Sequence, residues 1–133
     1  MSHLRSKSEI NLAAAELLID TSYYAPSVHC SYYGCFQFIK SKLNQIGIFY
    51  DKIDQDIAST PTLSSHNYPI RLILNEIEQK KDRYYKRSVK DKINDLKAFR
   101  EESDYHNIDI KYPESIKAFN LSKEIIKLIK SSL

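Results

Sequence analysis

Apolar residues recur at three- and four-residue steps through most of the chain, which is a helical period. Residues 8–21 carry Ile10, Ala13 or Ala14, Leu17 and Leu18 at that spacing and predict a first helix. Tyr23-Tyr24-Ala25-Pro26 breaks it, and Pro26 suits the first turn of the next helix, where a missing N–H costs little. That second helix, residues 26–45, has the widest stripe: Val28, Tyr32, Cys35, Phe36, Ile39, Leu43 and Ile46. Gly47 then falls where a C-terminal cap is expected. Residues 51–65 are rich in Asp, Ser and Thr and read as a polar loop with at most one short turn. A third helix opens at Ser65 or Asn67, with Pro69 in its first turn and Ile70, Ile73, Leu74 and Ile77 as its stripe. Residues 79–87 read as a charged link. A fourth helix spans residues 88–103 on Val89, Ile93, Leu96 and Phe99, and residues 107–112 connect it to the last. The fifth, residues 113–131, opens at Pro113 and carries Ile116, Phe119, Ile126, Ile129 and Leu133, widened by Leu121, Ile125 and Leu128. The expected fold is all-α: an up-and-down bundle of four long helices plus one further helix. Residues 1–8 read as a flexible N-terminus and residues 9–133 as a single domain.

Composition supports this pattern. The chain has 133 residues, only two glycines and four prolines, too few turn formers for a β-rich fold. With 42% hydrophobic and 28% charged residues it can build a core and is not a disordered chain. A formal net charge of +3 neither requires nor excludes a polyanionic partner. Cys30 and Cys35 lie five apart in a predicted helix, point apart and form no metal-ligand pattern, which suits a reducing compartment. No apolar run approaches the roughly 20 residues of a membrane span. The first eight residues hold no apolar signal segment. A cytoplasmic protein without cofactor or metal is the expectation.

Candidate chemistry gathers in Phe99-Arg100-Glu101-Glu102-Ser103-Asp104-Tyr105-His106, at the end of the fourth helix. Arg100 and His106 are separated by roughly 9 Å of helical rise. A helix that loosens after Ser103 would let His106 turn back toward Arg100. A guanidinium can hold a phosphate and a histidine can move protons near neutral pH. RNA carries its own nucleophile in the 2′-hydroxyl, so these two groups are the minimum for cleavage without a metal. The plainer reading is an exposed ion pair between Arg100 and Asp104, four apart, with His106 favoured by the helix dipole. Tyr105 reads as a tyrosine held by Asp104 or as a surface residue open to modification. His29, Tyr32 and Tyr33 share one side of the second helix and read as a stacking surface or as a helix–helix seam. His66 caps or packs at the start of the third helix, with no partner at metal-ligand spacing. A run of lysines and arginines from Lys80 to Lys97 reads as a solvated face or as a phosphate track leading to Arg100. No Gly-rich phosphate loop, nucleophile elbow or HExxH helix is present.

Several segments together resemble a known family. They are Tyr-Tyr-Ala-Pro-Ser-Val-His-Cys-Ser-Tyr-Tyr-Gly-Cys-Phe-Gln-Phe-Ile-Lys, then Ser-Ser-His before the third helix, then Leu-x-x-Phe-Arg-x-x-Ser-Asp-Tyr, and last Pro-Glu-Ser-Ile-Lys-Ala-Phe. From about Ile10 to Ile129 the chain is similar to HEPN domains, in particular to small stand-alone prokaryotic members with an Arg-x-x-(Ala/Ser)-Asp-Tyr signature. The resemblance implies an all-α bundle that dimerises. It also implies a metal-independent endoribonuclease of toxin–antitoxin or defence systems, with Arg100 and His106 at the dimer cleft. Its alternative is a non-catalytic nucleotide-binding or partner module, paired with a small nucleotidyltransferase that can modify a tyrosine near the motif. Asp104, Tyr105, His29, Tyr32 and Tyr33 are the expected binding or supporting residues, and RNA or a nucleotide the expected ligand. The sequence departs from the ribonuclease pattern at Glu101, and its tyrosine precedes His106 instead of following it.

Overall fold

The computed structural model describes residues 3–106 and 108–133. Six helices follow in order: α1 (His3–Asp20), α2 (Tyr24–Gln45), α3 (Tyr50–Ser59), α4 (Asn67–Lys80), α5 (Arg83–Tyr105) and α6 (Tyr112–Ser132). No strand occurs among the described residues. The all-α bundle follows from the apolar stripes. Their count changes, because six helices stand where five were expected.

α2 is the central helix and packs against all five others. Its expected stripe is its buried face: Val28, Tyr32, Cys35, Phe36, Ile39 and Leu43 all lie in the main core. α4 adds Ile70, Ile73, Leu74 and Ile77, α5 adds Val89, Ile93 and Leu96, and α6 adds Ile125, Ile126 and Ile129. The end of α2 is stopped by glycine. Gly47 sits at φ 97°, where a side chain is strained, and Ile48 N–H donates back to Leu43 O at 2.9 Å.

Five expectations change. α1 begins at His3, not near Ser8, so residues 3–8 are helical rather than a flexible terminus; Met1 and Ser2 of that segment lie outside the described residues. The core-facing side of α1 is also different: Ser8, Ala15 and Ile19 are buried, whereas Ile10 and Leu17 are 67% and 64% exposed. Gly34 of α2 explains the turn of the helix. With no Cβ there, α1 comes close enough for Ser8 Oγ to donate to Gly34 O at 2.6 Å and for Leu12 to pack over the glycine. The polar segment after Gly47 contains the ten-residue α3, whose short stripe is Ile53, fully buried, and Ile57, partly buried against the core. Its polar residues pair locally: Lys52 Nζ donates to Asp56 at 2.8 Å, and Tyr68 OH donates to the same carboxylate at 2.6 Å. The expected charged link at 79–87 shrinks to Lys81 and Asp82. Asp82 caps α5 by accepting from Tyr85 N–H at 2.8 Å, and Tyr85 OH donates to Leu128 O of α6 at 2.9 Å. Of the expected connection at 107–112, Asn107 lies outside the described residues and Tyr112 is already in α6.

Candidate functional site

The last turns of α5 lie against the first turns of α2, and this seam holds the candidate residues. Helical spacing decides what reaches across. His29, Tyr32, Tyr33 and Phe36 follow one another at steps of three, one and three on α2 and so form one broad face. Arg100, Ser103 and Asp104 do the same on α5. Ser103 Oγ donates to Ala25 O at 2.8 Å, fixing the two helix ends to each other.

Arg100 is the centre. Its Nε donates to Asp104 Oδ2 at 3.0 Å, and its Nη2 donates to the hydroxyls of Tyr33 at 3.2 Å and Tyr105 at 3.0 Å. The guanidinium carbon also lies 5.3 Å from the ring centre of Tyr32, 5.5 Å from Tyr33 and 5.2 Å from Tyr105. The side chain is 12% exposed. Burial acts to lower its pKa, but Tyr33, Tyr105, Asp104 and Tyr32 outweigh burial and raise it, so the charge is permanent. Nη1 has no hydrogen-bond partner among the described residues.

Asp104 carries a second partner. The same Oδ2 lies 3.0 Å from His29 Nδ1, across 75 residues of sequence. His29 leans on the Tyr33 ring at 4.6 Å between centres and remains 48% exposed. A carboxylate against Nδ1 selects the tautomer with the proton there, which leaves Nε2 as the basic nitrogen.

His66 closes the inner side. At the N-cap of α4 it stacks on Phe36 with 4.5 Å between ring centres and 5° between planes. Its Nδ1 is 2.8 Å from Tyr32 OH. Burial lowers the His66 pKa first, and the charges of Arg100, Lys97 and Lys40 lower it further. Burial likewise pushes the Tyr32 hydroxyl far above its ordinary value. Both groups are therefore neutral near pH 7 and share one hydrogen bond.

Of the expected residues, Arg100, Asp104, Tyr105, His29, Tyr32 and Tyr33 meet in one cluster. His106 makes no side-chain hydrogen bond or ring contact with it among the described residues. As the C-cap of α5 it turns into extended backbone at φ −107°, ψ 147°, its N–H donates to Glu102 O, and its ring is exposed. Two roles were missed. His66 belongs to the cluster, and His29 is a partner of Asp104. The signal for His66 was present in its position one turn before the α4 stripe, but only the fold places it over Phe36. Comparison with family models, curated proteins and solved structures found no match.

Proposed function

We propose that this chain is a HEPN-like module that cleaves RNA without a metal at the Arg100 cluster, with His29 as the proton carrier. The supporting observation is the Asp104 oxygen shared at 3.0 Å by Arg100 Nε and His29 Nδ1. It orients a half-exposed imidazole with its basic Nε2 free, beside a fixed cation whose Nη1 is unused. In the reaction, His29 Nε2 takes the proton of a 2′-hydroxyl as that oxygen bonds to the adjacent phosphorus. The bond from phosphorus to the 5′-oxygen breaks, and that oxygen leaves with a proton from solvent. Arg100 offsets charge building on the phosphoryl oxygens. Two copies at a homodimer cleft would supply two such sets.

The test is cleavage of a labelled single-stranded RNA in excess EDTA. His29→Ala is expected to lose about 100-fold or more in rate, the usual worth of a positioned acid–base group. His106→Ala is expected to cleave like wild type. Equal rates for His29→Ala and wild type would overturn the assignment.

One observation favours a second reading, a non-catalytic partner of a nucleotidyltransferase. Arg100 is largely covered, while the Tyr105 hydroxyl that it binds belongs to a side chain 69% exposed at the rim. That reading predicts no cleavage by wild type, and a nucleotide adduct on Tyr105 that Tyr105→Phe abolishes.

A further inference from the structure

We infer that the groove between α4 and α5 is a track for single-stranded RNA that ends at the Arg100 cluster; the choice of RNA rests on the function proposed above. The groove is built by helical spacing. Arg83, Arg87, Lys90, Asn94 and Lys97 recur at steps of three or four along α5 and form one stripe. From Arg83 to Arg100 this stripe runs about 25 Å. Two open hollows of about 760 and 560 Å³ lie along it, and Lys86, Lys90 and Asn94 line both, so they are one continuous surface. Arg71 of α4 lines the far wall. At the inner end Lys97 donates to Asn67 Oδ1, next in sequence to His66.

Charge and aromatic faces together select the occupant. The two hollows present Arg71, Arg83, Lys86, Arg87 and Lys90 against the carboxylates of Glu78 and Asp91. Glu78 accepts from Lys86 at 2.8 Å, which leaves the other four cations outnumbering the one remaining carboxylate. Tyr84 stands 68% exposed at the outer end, its ring 5.2 Å below the Arg83 guanidinium. Tyr68 lines the inner hollow under Arg71 at 5.4 Å. Cations spaced along a groove with one tyrosine ring in each hollow suit a strand of phosphates whose bases are free to stack. An acidic protein segment would use the cations and leave the rings idle. At about 3.4 Å per stacked nucleotide the track holds about seven.

The experiment is fluorescence anisotropy with a labelled uridine octamer made uncleavable by 2′-fluoro substitution. Wild type is expected to bind. Arg87→Glu/Lys90→Glu, both exposed positions, is expected to raise Kd about tenfold or more. Each lost phosphate contact should lower the slope of log K against log salt by about 0.7, so about 1.4 for the pair. Tyr84→Ala is expected to weaken binding about fivefold or more by loss of a stacking face. Lys123→Glu/Lys127→Glu on the exposed side of α6 serves as the charge control and is expected to bind like wild type. Circular dichroism confirms that each variant is folded. Undiminished binding by Arg87→Glu/Lys90→Glu, no binding by wild type, or displacement of the octamer by polyglutamate at equal charge would each overturn the track. The two proposals fail separately. If His29→Ala both binds and cleaves like wild type, the catalytic reading falls and the track stands. If the groove variant binds normally while His29→Ala loses cleavage, only the track falls.

Discussion

Replacing Arg100 by alanine tests the cluster as a structural clamp. The substitution removes the bond to Asp104, two bonds to tyrosine hydroxyls, and three ring contacts. Their weights differ with exposure. The Asp104 pair joins side chains only 12% and 19% exposed, so it exceeds a surface i,i+4 pair and contributes about 1 kcal/mol. The Tyr33 bond is part-buried and charge-assisted, worth about 1.5 kcal/mol. The Tyr105 bond lies at an exposed rim and adds little. The shielded faces of Tyr32 and Tyr33 contribute roughly 0.5 kcal/mol each as cation–π partners. These contributions overlap, so we expect a loss of about 3 kcal/mol, a large share of the roughly 5–15 kcal/mol of a domain. For a chain of this size that is about 10 °C in melting temperature. The assay is thermal and urea unfolding followed by circular dichroism. Arg100→Lys, which keeps the charge but not the planar fork, is expected to recover less than half of the loss. An alanine variant that melts within 2 °C of wild type, by the scale of about 3 °C per kcal/mol, would refute the clamp.

Three further outcomes are expected. His66 is held below its ordinary pKa, so the unfolded chain binds its proton more readily than the folded one. Its contribution is complete above about pH 6.5 and is lost as pH falls toward the folded value. His66→Phe, which keeps the stack on Phe36, should flatten stability against pH in that window, and urea midpoints from pH 7.5 to 4.5 that parallel wild type would contradict it. Burial raises the Cys35 thiol to about 12 and also raises that of Cys30, which is only half-buried. Mass spectrometry after a thiol reagent at pH 8 should find slow labelling of Cys30 alone in the native state, and of both in guanidinium; native labelling of Cys35 would contradict its burial. A Cβ at Gly34 would lie 3.0 Å from Leu12 Cγ and 3.3 Å from Ser8 O, so Gly34→Val should cost about 2–3 kcal/mol by overpacking the α1–α2 seam. An unfolding midpoint equal to wild type would show that α1 can move away.

Much of the bundle was legible because α2, α4, α5 and α6 bury residues that are both large and periodic. Val28 to Leu43 and Ile70 to Ile77 announce their inward faces without knowledge of any neighbour. α1 misled because its packed face mixes Ser8 and Ala15 with Leu12 and Ile19. Ser8 and Leu12 meet Gly34 of α2 and Ala15 packs in a cluster with Phe119 of α6, while Ile10 and Leu17 are left outside, a choice set by the partner helices and invisible in α1 itself. α3 misled because its stripe is only Ile53 and Ile57 among Asp, Ser and Thr residues, and the first turn of α5 because its lysines and arginines mask a capped helix start. In the candidate site, the local pair of Arg100 and Asp104 was legible from spacing of four. The meeting of Asp104 with His29 depends on how α5 sits against α2, which no local rule supplies.

The stretch from Arg100 to Tyr105 has one physical explanation for its spacing. Positions 100, 103 and 104 share the face turned to α2, and each has a partner there: Tyr33, the Ala25 carbonyl and His29. Tyr105 folds back onto Arg100. The same contacts that would build an active site therefore also dock the end of α5, and loss of activity in most variants would be ambiguous. His29 separates the two roles. It is half-exposed, with one hydrogen bond and one ring contact to Tyr33, so its removal costs little more than a surface contact, roughly 1 kcal/mol or less. A stable His29→Ala protein that no longer cleaves RNA would assign chemistry to the imidazole. A stable one that cleaves normally would leave the cluster as the seam that holds α5 to α2.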